Sequence, residues 1–167
     1  NFFDNNNLAK MSRKKISHAP AEKKAVYPGS FDPITNGHFD IIQRGLKIFD
    51  NILIAVLENP EKKTLFSTKE RVSMIQEAFA GYKNVEVKSF NGLLVEFVKK
   101  NHATVVIRGL RAISDFEYEF QMALTNRKLS PNIETIFLMP HESYSYLSSR
   151  LLKEAASLGA DLSSFVP

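Results

Sequence analysis

The chain contains no cysteine, which excludes disulfides, thiolate metal sites and cysteine nucleophiles together. No apolar run approaches the roughly 20 residues of a membrane-spanning helix. The N-terminus shows no secretory pattern, so the expected setting is cytoplasmic. The dinucleotide fingerprint G-x-G-x-x-G is missing, and no Gly-Lys-Ser/Thr completes a Walker loop. His18, His102 and His141 lack the partner spacing of metal ligands. There is no Ser-His-Asp set, no pair of carboxylates with an obvious role and no internal repeat.

What is present suits one domain with a substantial core: 167 residues, 44% of them hydrophobic and 24% charged. The net charge of +4 is local. Residues 1–24 carry six basic groups against Asp4 and Glu22, leaving 16 basic and 16 acidic residues in the remainder. A nucleic-acid partner would have only this arm to bind, so none is expected. Residues 1–10 are Asn-rich and aperiodic, and with Met11 next they read as an expression remnant ahead of a natural start. The chain therefore divides into an arm, 1–24, and a single domain, 25–167.

Ala25 and Val26 begin a first strand. Phe39, Ile42, Leu46 and Phe49 then recur at helical spacing, and 52–57 is a continuous apolar run suited to a strand buried on both faces. Ser67-x-x-Glu70 is a capping box opening a second helix over Val72, Ile75, Ala78 and Phe79. Residues 85–87 form a short strand and 93–100 a helix carrying Leu94, Phe97 and Val98. The strand 104–107 precedes a long helix, 114–129, whose expected buried stripe is Phe116, Phe120, Ala123 and Leu124. A fifth strand, 135–139, is halted by Pro140. Ser148 or Ser149 caps a last helix with Leu151, Leu152 and Ala155 inward, and Gly159 closes it. Five strands alternating with helices predict an α/β fold: a doubly wound, mostly parallel five-stranded sheet of Rossmann-like type.

In such sheets ligands bind beyond the carboxyl ends of the strands, where strand order reverses. The residues of unusual chemistry fall there. Ser30 and His38 follow the first strand, Lys62 the second, 91–94 the third, Arg108 and Arg111 the fourth, and 144–149 the fifth. The turn Tyr27-Pro28-Gly29-Ser30-Phe31-Asp32-Pro33-Ile34-Thr35-Asn36-Gly37-His38 lets backbone approach a ligand, and the helix start behind it favours an anion. On these residues by themselves, an anion site and an ordinary βα connection stand level. Arg108-Gly109-Leu110-Arg111 is more pointed, since two guanidinium forks around a glycine suit phosphate oxygens. Lys62 read without context is a routine exposed lysine, and Leu94 a routine core leucine.

Thr35-Asn36-Gly37-His38 resembles the T/H-x-G-H signature of nucleotidylyltransferases. The whole string from Tyr27 to His38, with the block from Arg108 to Glu119, resembles the bacterial phosphopantetheine adenylyltransferases across residues 25–167. The resemblance implies adenylyl transfer from ATP to 4′-phosphopantetheine, giving dephospho-coenzyme A and pyrophosphate. It implies His38, Lys62 and Arg108 as the catalytic set. It implies ATP contacts at Ser30, Phe31, His38, Gly109, Leu110, Arg111 and Glu119, and at Tyr144, Ser145, Tyr146, Leu147, Ser148, Ser149 and Arg150. Substrate contacts fall at Ser30, Lys62, Leu94 and Arg108. Asp115 and Glu117 read as helix N-terminal charges. Arg150 departs from the small or hydroxylic residue familiar after the serine pair. The same resemblance implies Mg²⁺ held mainly by ATP phosphates, a homohexamer, and coenzyme A as a feedback inhibitor.

A phosphate monoester is already nucleophilic at neutral pH, so alignment and charge neutralisation suffice. The alternatives are a nucleotidylyltransferase acting on another small molecule, and a non-catalytic ATP-binding sensor that releases no pyrophosphate.

Overall fold

A computed structural model describes residues 22–59 and 63–167, with the side chains of 113 and 114 left aside. Its elements are β1 (Lys24–Gly29), α1 (Asn36–Gly45), β2 (Asn51–Leu57), α2 (Thr68–Ala78), β3 (Val85–Phe90), α3 (Leu94–Lys100), β4 (Val105–Gly109), α4 (Ile113–Leu129), β5 (Glu134–Leu138) and α5 (Ser149–Ser157), with a 3₁₀ turn at Glu142–Tyr144. The sheet order is β3-β2-β1-β4-β5, and every pairing is parallel.

Alternation along the strands divides the core in two. Ala25, Tyr27, Ile52, Ile54 and Val56 pack with Ile41, Ile42 and Ile75 of α1 and α2. Val26, Leu53 and Ala55 pack the other face with Val95 and Val98 of α3 and with Ile133. Side chains two apart share a face of a strand, so one apolar run serves both layers.

Three helix starts are set by side chains. Thr35 and His38 form a reciprocal capping box at α1, Ser67 and Glu70 another at α2, and the Ser148 hydroxyl accepts the Leu151 N–H at α5. Gly159, at φ 85°, ends the turn after α5.

Five expectations are corrected. β1 starts one residue earlier, at Lys24, and β4 runs on through Arg108 and Gly109, which places the first arginine on the sheet itself. α1 stops at Gly45, so Leu46 is its cap and Phe49 lies beyond it, buried by the return of the chain. The stripe Phe116, Phe120 and Leu124 of α4 is exposed rather than buried; among the described side chains of that helix the buried ones are Glu119 and Asn126. Apolar residues lie all round α4, so periodicity could not say which side faces in. Leu151 of α5 is likewise exposed, and Leu152 makes the inward contact.

Candidate active site

Strand order reverses between β1 and β4, the central neighbours. Beyond their carboxyl ends lies a cleft of about 590 Å³. It is walled by the turn after β1, the start of α1, the end of β4, Glu119 of α4 and the first residues of α5.

His38 sits in the first turn of α1. Its Nδ1 accepts the backbone N–H of Thr35 at 3.1 Å, and its own N–H donates to Thr35 Oγ1 at 3.3 Å. With Nδ1 occupied as an acceptor, the ring proton sits on Nε2. Phe31 meets the ring edge-on with centroids 5.1 Å apart, and Tyr27 lies at 6.4 Å. Burial, followed by the Arg111 and Arg108 charges, pushes the His38 pKa down to about 4. At neutral pH the group is an uncharged Nε2–H donor. Burial also pushes the Tyr27 phenol up, against the pull of the same arginines, so it stays a neutral hydroxyl.

The turn that presents His38 is tightly built. Phe31 has φ 47°, a left-handed backbone rare for a bulky residue, and its buried ring closes over Gly29. A Cβ on Gly29 would stand 2.9 Å from that ring, so only glycine fits.

Arg108 forms a bidentate pair with Glu119, with Nε to Oε2 at 2.6 Å, and donates to the Pro28 carbonyl at 3.1 Å. One proton on each terminal nitrogen remains for a ligand. Arg111 pairs with Asp115 at 3.1 Å and donates to the Leu147 carbonyl at 2.9 Å, tying the end of β4 to the segment before α5. Both arginines and Glu119 line the cleft.

Ser30, Phe31, Gly109, Leu147, Ser148, Ser149 and Arg150 also line it. Ser149 donates to the Pro33 carbonyl at 2.7 Å, and the exposed Arg150 turns toward Glu154 at 3.0 Å. Leu110, Tyr144, Ser145 and Tyr146 stand outside the lining. Leu110 extends the β4–β5 pairing through Leu138 O, Tyr144 borders Gly37, Ser145 caps its own 3₁₀ turn, and Tyr146 faces solvent. Leu94 packs against the second core and does not line the cleft. Lys62 lies outside the described residues.

Three further charged residues are placed by the structure, and no motif in the sequence gives them a role: Asp32, Arg71 and Lys153. Asp32 accepts N–H donors from Leu65 and Phe66 and the Lys153 ammonium. Arg71 is buried, and its partners among the described residues are carbonyls and a hydroxyl. The available signal was a charged residue, Arg71, set beside the apolar stripe of α2.

Residues 26–155 match the cytidylyltransferase-like family model. The phosphopantetheine adenylyltransferase of Caldanaerobacter subterraneus subsp. tengcongensis is 58% identical over 143 residues, 86% of this chain and 89% of that one. The chain belongs to the phosphopantetheine adenylyltransferase family. Another member, from Clostridium botulinum strain Eklund 17B, is 57% identical over 145 residues, covering 87% of this chain and 91% of its own. In three dimensions the family fold extends further. A Vibrio parahaemolyticus protein provisionally named nicotinate-nucleotide adenylyltransferase superposes with a TM-score of 0.66 at 16% identity, over 87% of this chain and 86% of that one. At that identity only the fold is shared.

Proposed function

We propose that the chain transfers the adenylyl group of ATP to 4′-phosphopantetheine, releasing pyrophosphate and forming dephospho-coenzyme A. The observation that carries this is the meeting of a neutral imidazole N–H, two guanidinium groups and a capped helix start in one cleft at the reversal of strand order. Both arginines are close enough to act on the imidazole charge. Family membership supplies the substrates.

The acceptor phosphate attacks the α-phosphorus in line. The new P–O bond forms as the bond to pyrophosphate breaks, and no general base is needed. His38 Nε2–H donates to the α-phosphate oxygens as charge builds there. The remaining Arg108 protons and Ser30 hold the acceptor phosphate, with Lys62 assigned there by the resemblance. Arg111, Ser148 and the N–H groups opening α5 face the β- and γ-phosphates. Glu119 fixes the plane of the Arg108 fork and, as a lining residue of the cleft, keeps the ATP contact that the resemblance gives it. Leu94, outside the cleft lining, is assigned to the acceptor by the resemblance alone.

Mg²⁺ suits this site as the counter-ion of the triphosphate. Among the described residues no three His, Asp or Glu side chains converge, and the cleft acids Asp32 and Glu119 are already paired with Lys153 and Arg108. Phosphate oxygens are then its donors. Coenzyme A, which contains both halves of the product, is proposed to occupy the same cleft as an inhibitor.

A homohexamer is proposed from the family. It is supported by α4, where Phe116, Phe120 and Leu124 expose one apolar face at i, i+4 and i+8.

Incubation with ATP, Mg²⁺ and 4′-phosphopantetheine, followed by mass detection, is expected to yield dephospho-coenzyme A and pyrophosphate. ATP binding without pyrophosphate release would leave the chain a sensor.

A further inference from the structure

Asp32 is 4% exposed, yet three donors from two distant segments converge on its carboxylate. Phe66 N–H reaches Oδ1 at 2.9 Å, while Leu65 N–H at 3.0 Å and Lys153 Nζ at 2.6 Å share Oδ2. The first two come from the stretch before α2, of which Thr64 lines the cleft. The third comes from α5, whose N-terminus carries Ser148 and Ser149.

Arg71 of α2, 2% exposed, reaches the same turn. It donates to Ser30 O at 2.6 Å, Leu57 O at 3.1 Å, Phe66 O at 3.2 Å and Thr68 Oγ1 at 2.9 Å. Among the described residues it has no salt bridge. Burying a carboxylate and a guanidinium is a poor route to stability, because desolvation consumes most of the Coulombic gain. What such groups do supply is fixed geometry between segments that share no backbone hydrogen bonding. Ser149 adds one more tie, to Pro33 O at 2.7 Å, so α5 is moored twice to the turn that presents His38.

We propose that Asp32 is a positioning residue for adenylyl transfer, locking α5 and residues 64–66 to the His38 turn through its contacts with Lys153, Leu65 and Phe66. The inference rests on the functional reading above. One carboxylate then sets the distance between the wall that faces the triphosphate and the wall that faces the acceptor. A misplacement of about 1 Å between reacting groups costs on the order of 10²-fold in rate. Lys153 transmits only the α5 half of this tie.

The test is two-substrate steady-state kinetics with ATP and 4′-phosphopantetheine on the full chain and its D32N, K153M, K153R and D32N/K153M variants, with melting curves alongside. D32N is expected to lose about 10²-fold in kcat/KM for both substrates. K153M is expected to lose about 10-fold, confined to ATP, and K153R to recover most of that loss. The double variant should be no worse than D32N, since both changes cut one link. A purely structural role would lower the melting temperature and leave kcat/KM intact well below it. A folded D32N with normal kinetics overturns the proposal, as does a K153M loss shared equally by both substrates. If D32N fails to fold, the ATP selectivity of K153M and its rescue by K153R decide the matter. A wild-type chain forming no dephospho-coenzyme A overturns the functional reading and this inference with it; an active wild type with D32N unaffected overturns the inference alone.

Discussion

An imidazole held neutral down to about pH 4 behaves differently from a free one, and His38 is best judged at that level of detail. Its folded pKa lies below the ordinary 6.5, so between those values the unfolded chain takes up the proton first. The stability that neutral His38 contributes is whole above pH 6.5 and drains away as pH falls toward 4. Relative to H38Q, the wild type should therefore lose melting temperature across that window, and an NMR titration should place the ring midpoint near 4. Added ATP should raise the midpoint, because phosphate charge favours the imidazolium. Catalysis should show no His38 limb between pH 5.5 and 8. Any acid limb there belongs to the acceptor phosphate, whose second ionisation is near about 6, and H38A should keep it. H38A itself should lose roughly 10²–10³ in kcat with ATP affinity nearly intact, the usual cost of deleting one donor to a developing charge. Near-normal turnover would remove His38 from the mechanism.

Among the elements, α1 and α4 teach opposite lessons. The start of α1 was legible, because a glycine-bearing turn gives way to the helical period of Phe39, Ile42 and Leu46. That His38 closes a capping box through its Nδ1 was not, since capping depends on which ring nitrogen turns back. T35A should cost about 1 kcal/mol of stability and also lower kcat, by freeing the His38 tautomer; T35S should restore both. For α4 the period of its apolar residues was found and their direction was not. A stripe exposed on the single chain is what an interface between copies looks like before assembly. Replacing Phe116 and Phe120 with serine should shrink the assembly by light scattering while the far-UV spectrum stays unchanged. An unaltered mass would separate that face from assembly.

For the molecule as a whole, the cleft is a product of order 3-2-1-4-5. Ligands that bridge its walls should stabilise all of them together. ATP at 100 times its Kd should add about 2.7 kcal/mol, read as a rise in melting temperature. R111A should blunt the rise, because it removes both a cleft-lining positive charge and the tie to Leu147 O. A full ATP shift in R111A would move the triphosphate away from that wall.

By its own residues the sequence determined five strands, their alternation with helices, and the side on which the reactive groups emerge. Apolar runs, capping pairs and glycine turns act over a few residues, and their physics is local. It also determined the family, through strings whose order survives without any structure. Tertiary structure decided the rest: the left-handed Phe31 over Gly29, the guanidinium of Arg108 shared between Glu119 and Pro28 O, and the buried charges of Asp32 and Arg71. The charged groups depend on partners far along the chain, Arg71 and Ser30 being 41 positions apart and Asp32 and Lys153 being 121. No short-range pattern carries such a pairing, because burial and charge neutralisation are settled only when the sheet has brought the distant segments together.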